Sequence, residues 1–159
     1  MRHAKSDLRP GFTLVEILIV VVILGILAAI VIPQFANATE DTRKTAFVTE
    51  MRIFTDAILR FEIDNGVLPI DGSSGVVPTG LENYLIAAKW ENGTPIGGVW
   101  DNETDDLMGE GVGVDFNGSG ATRDAAYMAD IDRMVDDGDI TTGGFRAFGA
   151  NLYYTILRE

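Results

Sequence analysis

The hydrophobic pattern of the chain changes character twice. Residues 12–32 are an almost unbroken apolar run in which Thr13 and Glu16 are the only polar side chains. At about 1.5 Å per residue, a helix of this length reaches about 31 Å, the thickness of a bilayer's hydrocarbon core. The polar, basic residues ahead of it give the order of a secretory signal, but the run is longer than an ordinary signal core and lacks a small-x-small exit, so it predicts a retained anchor. Beyond Pro33 the pattern becomes amphipathic. Phe47, Met51, Phe54, Ile58 and Phe61 recur at intervals of 4, 3, 4 and 3, one stripe of a helix whose other faces carry Glu40, Asp41, Arg43, Lys44, Glu50, Arg52, Asp56, Arg60 and Glu62. Asn65-Gly66 is a stop signal, which predicts one helix over 12–64, about 80 Å long. Pro33 lacks a backbone donor and predicts a bend near the exit from the bilayer. The 4-3 spacing also suits a coiled coil; a glycine-rich domain directly behind it favours packing within the subunit.

From residue 66 to 149 the chain is punctuated by 16 of its 18 glycines and by Pro69, Pro78 and Pro95, as expected of short elements joined by turns. An exposed loop is expected over 72–78, and a short helix over 79–89 with Leu81, Tyr84, Leu85 and Ala88 on its apolar side. Trp90 and Trp100 flank the turn residues 93–99 and read as core anchors, with ligand platforms as the alternative. Val112, Val114 and Phe116 alternate with Gly111, Gly113 and Asp115, a strand with one covered face. A second helix over 124–135 turns Tyr127, Met128, Ile131, Met134 and Val135 inward. Residues 136–144 make a turn-rich return, and 145–148 with 152–157 form a terminal hairpin. The fold class is α+β: a long N-terminal helix, transmembrane in its first half, packed against a small antiparallel β-sheet.

Charge sharpens the division. The formal net charge is -12, yet the first 11 residues carry Arg2, Lys5 and Arg9 against Asp7. The positive-inside bias puts the N-terminus in the cytoplasm and the acidic domain outside. Such a surface repels phosphate backbones, which excludes a nucleic-acid partner. There is no cysteine, and the single histidine, His3, lies in the basic leader. Disulfides, Cys/His metal sites and a Ser-His-Asp triad in the main body are therefore excluded.

Carboxylates are the abundant metal ligands left, and calcium is the hard cation they suit. Asp115, Asn117 and Ser119 alternate ahead of Gly120 like the first half of a calcium loop, but Ala126 stands where a bidentate Glu belongs. Asp124 and a second cluster, Asp130, Asp132, Asp136, Asp137 and Asp139, complete the candidates without that spacing. Solvated acidic turns are the alternative. The sequons at Asn37, Asn92, Asn102 and Asn117 are short enough to recur by chance. Acidic residues are too frequent for their proximity to signal glycoside hydrolysis, and no enzymatic activity is expected.

The stretch Arg9-Pro10-Gly11-Phe12-Thr13-Leu14-Val15-Glu16-Ile17-Leu18-Ile19-Val20, with Gly25-Ile26-Leu27-Ala28-Ala29 and Pro33 behind it, resembles the class III leader and N-terminal helix of type IV pilins and type II secretion pseudopilins. Asp64-Asn65-Gly66-Val67-Leu68-Pro69 resembles the DNG-x-x-P segment after the long helix of the major pseudopilin. The resemblance implies a pilin fold organised as a cleaved leader (1–11), a transmembrane segment (12–33), an amphipathic continuation (34–65) and a periplasmic or extracellular domain (66–159). It implies that a prepilin peptidase cuts after Gly11 and methylates the new N-terminal residue, Phe12. It gives Glu16 a partner as well, the Phe12 amine of a neighbouring subunit. A carboxylate among Ile, Leu and Val is expensive in hydrocarbon and usually has a partner or function; a Glu16 lying at the headgroups without a specific role is the alternative. The family also implies calcium in the C-terminal loops.

The implied function is a structural subunit, like the major pseudopilin, of the periplasmic filament of a type II secretion system. The implied partners are further copies in a helical filament, an inner-membrane assembly platform, minor pseudopilins or pilins, and membrane lipid. The implied location is the bacterial inner membrane, crossed once, with the filament in the periplasm or at the cell surface. A type IV pilin of a surface fibre shares the signal, and a membrane-anchored binding module that never polymerises needs only an anchor and a domain.

Overall fold

A computed structural model describes residues 11–105 and 109–158. Of the leader, residues 1–10 lie outside the described residues. The chain divides into two compact units, one reaching to Thr39 and the other starting at Glu40. Helix α1, Leu14–Asn65, runs through Pro33 without interruption and supplies both. In the first unit every side chain from Phe12 to Phe35 is exposed, and α1 is the one described helix long and apolar enough to cross a membrane. The helix stops at Asn65 as the sequence predicts, with the Gly66 N–H donating to the Glu62 carbonyl at 2.7 Å.

The second unit is a sheet on a helix. Strands β1 (Val99–Asp105), β2 (Gly109–Asp115), β3 (Phe145–Ala147) and β4 (Leu152–Arg158) form one antiparallel sheet in the order β1-β2-β4-β3. Helices α2 (Ala87–Glu91) and α3 (Ala125–Val135) complete the layer. Phe47, Met51, Phe54 and Ile58 are buried as their spacing requires, joined by Val48 and Ala57, with Phe61 partly buried at the end of the stripe. Trp90 and Trp100 are core anchors. Phe47 stacks on Trp100 at 5.1 Å between ring centroids, and Phe54 meets Trp100 edge-on at 4.9 Å and Trp90 at 5.1 Å. Burial of such large faces dominates the hydrophobic term of a small domain.

Two expectations need correction, and one strand escapes the sequence reading. Residues 79–89 are not one helix. They form a 3-10 turn, Leu81–Asn83, and then the short α2, separated where Ile86 is extended (φ -86, ψ 104). The break swings Trp90 into the core and leaves Ala88 exposed. Met134 is likewise exposed, and the buried position beside it belongs to Asp132. Strand β1 has no clean alternation to announce it, because Trp100 and Asn102 face the core while Asp101, on the other face, is covered as well. The β2 strand and the β3-β4 hairpin lie where the sequence puts them.

Polar contacts fasten α3 to α1. Lys44 and Arg123 each lie 4.5 Å from the Tyr127 ring centroid, the Tyr127 hydroxyl donates to Glu40 at 3.1 Å, and Lys44 pairs with Asp130 at 2.7 Å. Two cations on one ring, each with its own carboxylate, fix the inward face of α3 that carries Met128 and Ile131.

Candidate functional site

The start of α1 is a capping box. The Thr13 backbone N–H and hydroxyl donate to Glu16 Oε2 at 2.8 and 2.7 Å, and the Glu16 N–H donates back to Thr13 Oγ1 at 3.2 Å. Orphan donors of the first turn are thereby satisfied within the helix itself. Thr13 is not among the residues singled out from the sequence, although T-x-x-E ahead of an apolar run is a readable capping signal. All three bonds start or end at Thr13 and Glu16, so none depends on Phe12 or Gly11. Phe12 is 82% exposed, and an added Cβ on Gly11 would meet nothing within 4 Å. Among the described residues nothing crowds the side chains on either side of the peptide bond between them, and the Glu16 Oε1 atom accepts nothing.

The acidic candidates separate into those held singly by their own partners and one group that comes together. Asp115 Oδ1 accepts from the Asn117 N–H at 2.6 Å and Oδ2 from the Ser74 hydroxyl at 2.8 Å. Asn117 accepts from Asn151 at 3.1 Å, and Ser119 donates to the Phe116 carbonyl at 2.8 Å. Asp124 caps α3 by accepting from the Tyr127 N–H at 2.8 Å. Asp130 sits between Lys44 and Arg133, and these cations hold its carboxyl below the usual range. Asp139 accepts from the Thr141 hydroxyl and N–H, which lower it too.

Asp132, Asp136 and Asp137 are different. Each offers a carboxylate oxygen, and these atoms lie within 4.8 Å of one another. The residues straddle the C-terminal end of α3, where a spacing of four brings Asp132 and Asp136 to one side. Asp136 accepts from the Gly144 N–H, and Asp137 accepts from the Asp139 N–H at 2.8 Å and the Thr142 hydroxyl at 3.1 Å. Asp132 is fully buried, and among the described residues neither of its carboxylate oxygens meets a partner at full hydrogen-bond geometry. Burial pushes its carboxyl up, the nearby Gly138 backbone pulls it part of the way back, and Asp137 and Asp136 push it up again. A buried carboxylate without partners is costly unless something cationic meets it. Three oxygen donors and an orphaned buried pair of lone-pair atoms fit a hard divalent cation, for which carboxylates are the preferred ligands. The loop is shaped around this group: at Gly143 an added Cβ would lie 1.9 Å from Asp136 Oδ2.

Comparison with known proteins bears on the N-terminal region most strongly. Residues 9–32 match the family described as prokaryotic N-terminal methylation motif. Type II secretion system core protein G of Pseudomonas aeruginosa is 41% identical over 61 residues, 38% of this chain and 43% of that protein. The Vibrio cholerae protein of the same name is 41% identical over 65 residues, 41% and 44% of the two chains. The type IV major pilin protein PilE of Neisseria gonorrhoeae is 30% identical over 91 residues, 55% and 54% of the two. The chain thus spans about half, or less, of the length of these relatives. No solved structure matches it.

Proposed function

We propose that this chain, a member of the type IV pilin and type II secretion pseudopilin family, is a filament-forming pseudopilin of a type II secretion system. The observation that carries the reading is a methylation motif set on a helix whose apolar first part has no cover among the described residues. Such a surface needs lipid, or other copies of the same helix, around it. The second part of the helix is the spine of a domain in water, so the molecule has the two ends a membrane-assembled fibre requires. The relatives named core protein G favour the secretion filament. The PilE relative supports the second reading, a pilin of a surface fibre. Deleting the gene separates them: lost secretion with intact fibres supports the first, lost fibres with intact secretion the second, and loss of neither leaves the anchored module that does not polymerise.

In this reading a prepilin peptidase removes residues 1–11 on the cytoplasmic side and methylates Phe12. Further copies, an inner-membrane platform, minor subunits and membrane lipid are the partners, and the domain lies beyond the inner membrane. Gly11 has no side chain to obstruct a protease, and replacing it with a bulky residue is expected to leave the protein inserted and uncleaved. The intact mass of the membrane-purified chain reads this directly; a processed Gly11→Leu chain overturns the assignment of the cleavage site.

Calcium held by Asp132, Asp136 and Asp137 belongs to the same proposal. Its charge would offset their mutual repulsion and tie the end of α3 to the return that leads into β3, a loop with no disulfide to hold it. A cation that binds only the folded chain raises its stability by about 2.7 kcal/mol at a hundredfold excess over Kd. Asp132→Asn is expected to act in opposite directions: more stable than wild type in chelator, where a buried charge has been removed, and less stable in calcium, where a ligand is missing. Thermal melts of the full chain at equal ionic strength test this, and superimposed wild-type curves in calcium and chelator remove the ion.

A further inference from the structure

The outward face of the sheet carries a polar contact that neither the anchor nor the calcium loop uses. Asp101 on β1 pairs with Gly113 on β2, which pairs with Tyr154 on β4, which pairs with Arg146 on β3. Side chains in one such row share a face. β1 and β4 are two strand spacings apart, about 10 Å, and yet the Tyr154 hydroxyl donates to Asp101 Oδ2 at 2.7 Å. Gly113 makes this possible. An added Cβ there would lie 1.9 Å from the Tyr153 carbonyl oxygen and 2.6 Å from the Tyr154 Cα, so only a bare backbone lets β4 come in and its phenol cross to β1. Both ends of the bridge are buried: Tyr154 is 1% and Asp101 8% exposed.

The segment before the sheet is fastened beside this bridge. The Gly75 N–H donates to the Trp100 carbonyl at 2.7 Å, and the Ser74 hydroxyl donates to Asp115 at 2.8 Å. That brings Asp71 into the neighbourhood. The groups acting on Asp101 are Tyr154 from β4, Asp71 from the 71–75 segment, Asp115 from β2 and Glu103 from its own strand. Arg146, at the far end of the row, directs its Nε to the Gly143 carbonyl at 2.6 Å.

We propose that Asp101 and Tyr154, meeting across Gly113, are a proton-sensitive latch that fastens the 71–75 segment to the edge of the sheet. With Asp101 ionised, a buried charge faces three other carboxylates, and the segment carrying Asp71 is held to the sheet only through Gly75 and Ser74 among the contacts described. With Asp101 protonated, the repulsion is gone while the hydroxyl contact remains, and the segment closes. Burial, with Asp71, Asp115 and Glu103 pushing the same way and the Tyr154 hydrogen bond pulling back, brings the Asp101 carboxyl up to about 6. A carboxyl raised on folding stabilises the closed form on the acid side, and that contribution is lost as pH rises from about 4 through about 6. The inference is independent of whether the chain polymerises.

Hydrogen exchange of the full chain in detergent micelles tests the latch. Rates for residues 71–76 are read between pH 5 and pH 7.5 and corrected for intrinsic chemistry. A group moving from an ordinary carboxyl value when open to about 6 when closed raises the opening constant about tenfold over this range. Asp101→Asn is expected to abolish the dependence and keep the segment at pH 7.5 as protected as wild type at pH 5. Tyr154→Phe removes the donor that favours the ionised form and moves the midpoint to higher pH, whereas Asp71→Asn moves it lower. A flat wild-type profile overturns the latch, and so does an Asp101→Asn chain that keeps the wild-type slope. Should Asp101→Asn fail to fold, unmoved midpoints in both other variants overturn it equally.

Discussion

Glu16→Ala is expected to insert in the membrane as well as wild type and to lose assembly. Removing a carboxylate from the apolar run makes insertion easier if it changes it at all. The acidic domain, built from Glu40 onward as a separate compact unit, should fold as before. Assembly is another matter, because the proposed pairing of Glu16 with the Phe12 amine of a neighbouring subunit is a pairing of charges in a poorly solvated place. Leaving one partner of such a pair alone costs about 3–5 kcal/mol, which is a hundredfold or more in the pairing equilibrium. The capping box adds a second role that must be separated from the first. Glu16→Gln keeps an acceptor for the Thr13 N–H and hydroxyl but carries no charge, whereas Glu16→Asp keeps the charge on a shorter stem. If charge pairing drives assembly, the glutamine chain fails like the alanine chain and the aspartate chain is intermediate. If capping is all that matters, the glutamine chain assembles normally and the pairing is wrong. The chain has no cysteine, so a single one introduced into the helix reports contacts between neighbours without background.

Phe54→Ala is expected to be the most damaging single truncation in the domain. Phe54 is 1% exposed and touches both tryptophans, so its removal opens a hole against two rigid rings that cannot collapse into it. Truncation of a buried phenylalanine costs about 3–5 kcal/mol. That is a large fraction of the 5–15 kcal/mol that holds a typical domain together. Phe54→Leu refills most of the space and should recover much of the loss. A midpoint of thermal unfolding in the alanine chain within a degree or two of wild type would contradict the packing described.

These two positions also show what the sequence makes legible. The anchor and the stripe through Phe47, Met51, Phe54 and Ile58 are periodic, and periodicity is local information. Glu16 declares itself by being a carboxylate in the wrong company. The box it forms with Thr13 was equally local. What the chain hides is whatever depends on a distant segment. Residues 79–89 look helical because Leu81, Tyr84 and Leu85 are suitably spaced, and the break at Ile86 follows from where Trp90 must go. Asp101 reads as one more acidic surface residue until Tyr154 reaches it across Gly113. Asp132 stands in a crowd of aspartates, and only the inward turn of α3 picks it out from Asp130 and Asp139.

The packing of Trp100 between Phe47, on which it stacks, and Phe54, which meets it edge-on, has a spectroscopic consequence. The chain has two tryptophans, both in the domain and both fully buried, and their indole N–H groups have no hydrogen-bond partner among the described residues. An indole in so apolar a surrounding relaxes little after excitation, so emission from the folded protein should lie to the blue and shift red when water enters. The anchor contains no tryptophan, and its emission is silent. Intrinsic fluorescence therefore follows the opening of the domain alone, even with the helix embedded in micelles or lipid. Calcium, acid and core substitutions can each be titrated on the intact chain by one native optical signal.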